Sequence, residues 1–142
     1  MNHNRVRLLR GGSEYFDALE ELIAKAQYTI YLQVYIFDDD ATGIRVGNAL
    51  IEAAKRGVSV FVLADGYASQ SLSRVVISSW QKAGIHFRFF EPLLRSTRFY
   101  FGRRLHHKIV VVDAQYGLVG GMNIADRYND VGDERAWLDF AV

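Results

Sequence analysis

The sequence predicts an α/β fold built on a mixed, largely parallel sheet with helices on both faces. Three observations carry that reading. Between Tyr28 and Phe90, strand-like runs alternate with helix-like stretches. The strand-like runs are almost uninterruptedly apolar, the pattern of strands buried on both sides rather than on one. With 142 residues, half of them hydrophobic, the chain suffices for one substantial core and is short for two, so residues 1–142 are expected to form one domain.

The elements follow in order. Val6 to Leu9 resembles a short opening strand, and Gly11, Gly12 and Ser13 make a turn and a helix start. Tyr15, Leu19, Leu22, Ile23 and Ala26 then recur at helical spacing. Tyr28 to Phe37 (YTIYLQVYIF) reads as a central strand covered on both faces, stopped by Asp38, Asp39 and Asp40. A second helix from Thr42 to Lys55 ends at Gly57, and Val58 to Leu63 is the next buried strand. A third helix, Leu72 to Lys82, stops at Gly84 and leads into the strand Ile85 to Phe90, closed by the single proline, Pro92.

After Pro92 the pattern changes. Leu93 to Leu105 (LLRSTRFYFGRRL) is a basic and aromatic connection. Two short strands, Lys108 to Val112 and Gly117 to Val119, flank a turn at Ala114 to Tyr116; a short helix is expected over Asn123 to Asn129, and a strand from Trp137 to Val142. The chain stops on that apolar strand pattern, so a truncation at the C-terminal end is expected.

Seventeen Lys and Arg against sixteen Asp and Glu leave a net charge of +1, which gives no electrostatic argument for a nucleic-acid partner. With no cysteine, disulfides and thiolate metal sites are excluded. The N-terminal MNHNRVRLLRGG has no apolar core suited to a signal peptide, and the longest apolar runs are strand-sized.

The chemistry concentrates in one stretch. On an extended strand His106 and Lys108 point to the same face and His107 to the other, so an imidazole and an ammonium share one surface. The apolar run Ile109 to Val112 anchors that pair in the core, Asp113 closes it, and Gly120-Gly121-Met122-Asn123 brings backbone amides and a carboxamide beside the same face. Those are groups that hold a phosphate.

His106-x-Lys108-x4-Asp113, followed by GGMN (Gly120 to Asn123), resembles the HKD signature of the phospholipase D superfamily. YIFDDDATG (Tyr35 to Gly43), AAKRGVSVFVLADGYAS (Ala53 to Ser69) and GGMNIADRY (Gly120 to Tyr128) are similar to the bacterial cardiolipin synthases within it, so the likeness covers nearly the whole chain. The resemblance implies a two-step displacement: a histidine attacks the phosphodiester phosphorus, a phosphohistidine forms, and an alcohol or water displaces it, with no metal or other cofactor. His106 would be the nucleophile, since imidazole is competent near neutral pH. Lys108 and Asn123 would stabilise charge on the non-bridging oxygens.

The family also uses an acidic residue farther along to orient the histidine, and Asp139 in WLDFAV stands where it is expected. Asp113, although part of the signature, is implied to be structural. Gly120, Gly121 and Asp65 are weaker candidates for substrate contact, Asp65 because it ends a parallel strand, where α/β crevices lie.

Two departures are visible. Gly121 stands where family members often carry Ser or Thr, so a side-chain hydroxyl contact to phosphate is missing, although cardiolipin synthases frequently read GG at this point. The superfamily builds one site from two HKD motifs, one histidine acting as nucleophile and the other as general acid, whereas this chain has one; a second half or a homodimer must supply the other.

His107 faces away from Lys108, and His3 and His86 have no partner in sequence, so all three read as packing or surface residues. Asp38, Asp39 and Asp40 are read as a helix-start signal rather than metal ligands. Arg95, Arg98, Arg103 and Arg104, interleaved with Phe99, Tyr100 and Phe101, suit anionic headgroups, stacked single strands or an exposed connection equally well.

The resemblance thus implies the N-terminal half of a cardiolipin-synthase-like phosphatidyltransferase acting on a phospholipid such as phosphatidylglycerol, peripheral on the cytoplasmic side of a bacterial membrane. The alternatives are a single-motif homodimeric phosphodiesterase or nuclease, and a noncatalytic half-domain that binds phosphate or lipid.

Overall fold

The computed structural model describes residues 4–91 and 104–142. A two-residue strand β1 (Leu9–Arg10) precedes helix α1 (Ser13–Lys25), and strand β2 (Thr29–Val34) leads to helix α2 (Ala41–Lys55). Strand β3 (Ser59–Asp65), helix α3 (Arg74–Lys82) and strand β4 (His86–Phe90) follow. The second part holds the hairpin β5 (Ile109–Val112) and β6 (Tyr116–Val119), a 3-10 turn (Asp126–Tyr128) and a short strand β7 (Phe140–Ala141). The expected connection at Leu93 to Leu105, with Pro92, falls almost wholly outside the described residues.

The main sheet has the order β4-β3-β2-β5-β6. β2 pairs parallel with β3, and β3 with β4, while β5 runs antiparallel to β2 and to β6. The sheet is mixed as expected, though its pairings divide evenly rather than being largely parallel, because β5 and β6 form a hairpin on one side of β2. Asp113 and Ala114 have positive φ (52° and 53°), which a tight hairpin turn of matching twist requires.

Helices on both faces were expected; among the described residues they cover one. Ile30, Leu32 and Val34 of β2, Val60 and Val62 of β3, and Val110 and Val112 of β5 are buried with Phe16, Leu19, Val46, Leu50 and Trp80 from the helices. The β2-α2-β3 and β3-α3-β4 crossovers advance in the same direction, and right-handed crossovers of that kind place both helices on one side. Trp80 of α3 lies against Gly47 of α2, which confirms that they share it. On the other face Tyr31, Phe61 and His86 stack across three strands with centroids 5.0 and 4.8 Å apart, and Tyr31 is half exposed. β2 is therefore covered on one face, not on both as its apolar run predicts.

Local chemistry sets the element ends. Asp40 caps α2 by accepting from the Gly43 amide at 2.9 Å, and Ser73 caps α3 from within its own turn. α1 has no local side-chain cap; Asp130, far along the chain, accepts from the Ser13 amide at 2.9 Å. A Cβ at Gly12 would collide with that carboxylate. The opening strand forms at Leu9 and Arg10 rather than Val6 to Leu9, because among the described residues its one antiparallel partner is the two-residue β7; Val6 and Leu8 are exposed.

The helix expected over Asn123 to Asn129 is a single 3-10 turn. Ile124 is held in extended pairing with Phe37, donating to the Ile36 carbonyl at 3.0 Å, and Asp40 takes the Asp126 amide at 2.7 Å. These contacts occupy the backbone that a helix start would need. Likewise the expected strand Trp137 to Val142 shortens to Phe140 and Ala141 in β7, with Val142 exchanging backbone hydrogen bonds with Val119 and the Trp137 amide turned to the Arg127 carbonyl.

Candidate active site

Because β5 runs antiparallel to β2, the residues that enter β5 lie at the carboxyl ends of the parallel strands β2 and β3, where α/β folds gather ligands. His106 and Lys108 are those residues. The Lys108 ammonium lies 3.4 Å from His106 Nδ1 and donates to the His106 carbonyl at 2.9 Å, so the two side chains share one surface. His107 faces the opposite way, its ring 3.5 Å from Gln33.

Lys108 is only 8% exposed while His106 is open to solvent. Burial pulls the Lys108 ammonium below its ordinary pKa, and the negative charge of Asp139 opposes that shift. The arrangement is a partly desolvated cation beside an accessible imidazole, where its field on a bound anion is screened less than at the open surface.

Asn123 is 3% exposed and is held by the Ile36 amide, which donates to its Oδ1 at 2.9 Å. That bond fixes the carboxamide so that Nδ2 is the end left to serve as donor. The Asp139 carboxylate accepts from the Phe140 amide at 2.8 Å and lies beside Gly121. Among the described residues it makes no hydrogen bond to the His106 ring; the group it acts on electrostatically is Lys108.

The weaker candidates have structural work. The Gly120 amide donates to the Lys108 carbonyl and the Gly121 amide to the Phe140 carbonyl, both at 3.2 Å, so neither is turned outward. A Cβ on Gly120 would overlap Phe140 and Ala141, and one on Gly121 would overlap the Asp139 carboxylate. Asp65 is fully buried rather than at a rim: Oδ1 accepts from the Tyr67 and Ala68 amides and Oδ2 from the Leu105 amide, each at 3.0 Å. It ties the end of β3 to the residue preceding His106.

Asp113 lies at the far end of β5 and accepts from the amides of Gln27, Tyr28 and Thr29 at 2.8 to 2.9 Å, which holds its carboxyl below the usual range. It pins the start of β2. Asp40 is engaged as a helix cap and Asp38 pairs with Arg127 at 2.7 Å.

Two residues at the site had no role assigned from sequence. The Tyr35 ring lies 4.8 Å from the His106 ring and 5.3 Å from the Lys108 ammonium. Ser69, fully buried, donates to the Tyr35 carbonyl and accepts from the Phe37 amide, both at 3.0 Å. Both fall within segments noted for their family likeness, yet nothing in linear order places them beside His106.

With the geometry in view, the family model described as "Cardiolipin synthase, PLD-like domain" matches residues 19–139. The chain belongs to this family. It is 39% identical over 142 residues to cardiolipin synthase B of Salmonella typhimurium, and 37% identical over 141 residues to that of Escherichia coli K12. The match covers 98% of the chain and 34% of either relative, so the chain spans about a third of their length.

Among solved structures, phosphatidylserine synthase from Haemophilus influenzae superposes with a TM-score of 0.75 at 22% identity, covering 95% of this chain and 32% of the other. The phospholipase D family member Nuc from Salmonella typhimurium gives 0.67 at 20% identity, with 95% and 80% covered. At these identities the likeness is one of fold. No helix of the described residues is long and apolar enough to cross a membrane.

Proposed function

We propose that the chain supplies one half of a phospholipase D-type phosphatidyltransferase site, moving a phosphatidyl group to the hydroxyl of a second lipid such as phosphatidylglycerol. The observation that carries this reading is the pairing of His106 with the buried Lys108 ammonium, 3.4 Å apart at the mouth of the parallel strands. A phosphodiester drawn to Lys108 and Asn123 presents its phosphorus to the imidazole. A ring nitrogen forms the N–P bond, the bond to the leaving alkoxide breaks, and a second histidine from the other half protonates that oxygen. The incoming hydroxyl then gives up its proton to that second histidine as its oxygen bonds phosphorus, and His106 is released.

Family membership and the cardiolipin synthase relatives support the choice of lipid substrate, and with it a place at the membrane surface. A second reading, a single-motif homodimeric phosphodiesterase, draws support from the fold. The superposition covers 80% of Nuc and 82% of NucT from Helicobacter pylori, the latter at a TM-score of 0.70. Light scattering followed by turnover assays in a metal chelator separates these readings. A monomer that forms cardiolipin only when complemented by a second HKD half supports the first. A dimer that hydrolyses a soluble diester or DNA alone supports the second, and phosphate or lipid binding without turnover in either setting supports a noncatalytic half-domain.

A further inference from the structure

We infer that Tyr35 is a positioning residue for both reactive side chains, its ring forming the wall against which the His106 imidazole and the Lys108 ammonium are held. The inference rests on the reading of His106 and Lys108 as the reactive pair. Tyr35 follows β2 directly, and its ring meets the imidazole at a centroid distance of 4.8 Å with the planes tilted by 47°. The ammonium of Lys108 lies 5.3 Å from the same ring, within reach of its electron-rich face.

The backbone from the Tyr35 carbonyl to the Phe37 amide is held at each polar group. Its carbonyl accepts from Ser69, the Ile36 amide donates to Asn123, the Ile36 carbonyl accepts from the Ile124 amide, and the Phe37 amide donates back to Ser69, all at 2.9 to 3.0 Å. The two side chains that make this clamp, Ser69 and Asn123, are buried. A ring mounted on so constrained a segment has little freedom to follow its neighbours, so the imidazole and ammonium conform to it.

His106 needs such support. It is exposed, it lies outside the paired part of β5, and its ring has no carboxylate partner among the described residues. Leu105, fixed through Asp65, holds the main chain before it, whereas Tyr35 is the surface that limits the side chain.

The test compares Tyr35→Phe and Tyr35→Leu in the whole chain, read two ways. In proton NMR the His106 ring signals should keep their native positions in the Phe variant and move toward those of an unstructured histidine in the Leu variant, with Asp113-anchored β2 resonances unchanged. In the assembly that turns over, Tyr35→Leu should lower kcat by about tenfold with KM changed by less than about twofold, while Tyr35→Phe stays near the native rate. Native His106 signals in the Leu variant, or equal losses in the Phe and Leu variants, would overturn the inference. Full turnover by His106→Ala would instead sink the nucleophile assignment, leaving the NMR comparison to judge Tyr35 by itself.

Discussion

The carboxylate of Asp139 occupies the space that a side chain on Gly121 would fill: a Cβ built there would overlap both of its oxygens. Sequence comparison alone makes Gly121 a lost hydroxyl. In the structure it is what allows Asp139, the residue before β7, to bring a carboxylate against the site near Lys108.

Gly121→Ala should therefore displace Asp139 and lower stability by about 1–3 kcal/mol, as overpacking of a close contact does. Gly121→Ser should do no better, despite restoring a hydroxyl. Chemical denaturation together with turnover per folded molecule checks this; a Ser variant more active than the native chain would contradict it.

Asp139 and Asp113 should separate cleanly. At matched stability Asp139→Ala should weaken turnover more than Asp113→Ala, because only Asp139 acts on Lys108, a member of the proposed reactive pair. Its negative charge raises the Lys108 pKa against the effect of burial, so Asp139→Asn should move the alkaline limb of kcat/KM to lower pH. A limb that stays in place would show that Asp139 does not act through the ammonium.

Asp113 governs acid stability. Its folded pKa is depressed by three backbone amides, so its contribution is present above the unfolded value near 3.8 and is lost as pH falls through the lower folded value. The stability gap between the native chain and Asp113→Ala should be constant at neutral pH and close below pH 3.8. Unfolding midpoints measured across that window test the sign.

Asp65→Asn replaces one acceptor oxygen with a donor facing backbone amides, whichever way the carboxamide turns. The expected cost is about 1–3 kcal/mol for a buried group left unsatisfied, with turnover per folded molecule also reduced because Leu105 loses its tether. Native turnover in a folded Asn variant would show that Asp65 serves stability alone.

What the sequence could reveal depended on whether the signal was local. The shared surface of His106 and Lys108 follows from the two-residue period of extended backbone, and Asp40 as a helix start follows from capping chemistry. Asn123 was legible only as part of a motif; its fixation by Ile36 depends on a strand distant in sequence. Tyr35 and Ser69 were legible as members of similar segments, but their places beside His106 and in the clamp arise from β2, β3 and β5 meeting at one end of the sheet. The helix expected at Asn123 to Asn129 failed for the same kind of reason, since pairing with Phe37 outweighs the local preference. Apolar runs suggested burial on both faces, whereas crossover handedness decides which face the helices take.

The most direct test of the central claim is to look for phosphorus on His106. The chain, assembled with a second HKD half or as its own dimer, is mixed with radiolabelled phosphodiester in the presence of a metal chelator and quenched in alkali, where phosphohistidine survives. The account predicts label on the peptide containing His106, absent from His106→Ala and reduced in Lys108→Met. Turnover that proceeds with no label on that peptide, or with equal label in His106→Ala, would contradict it.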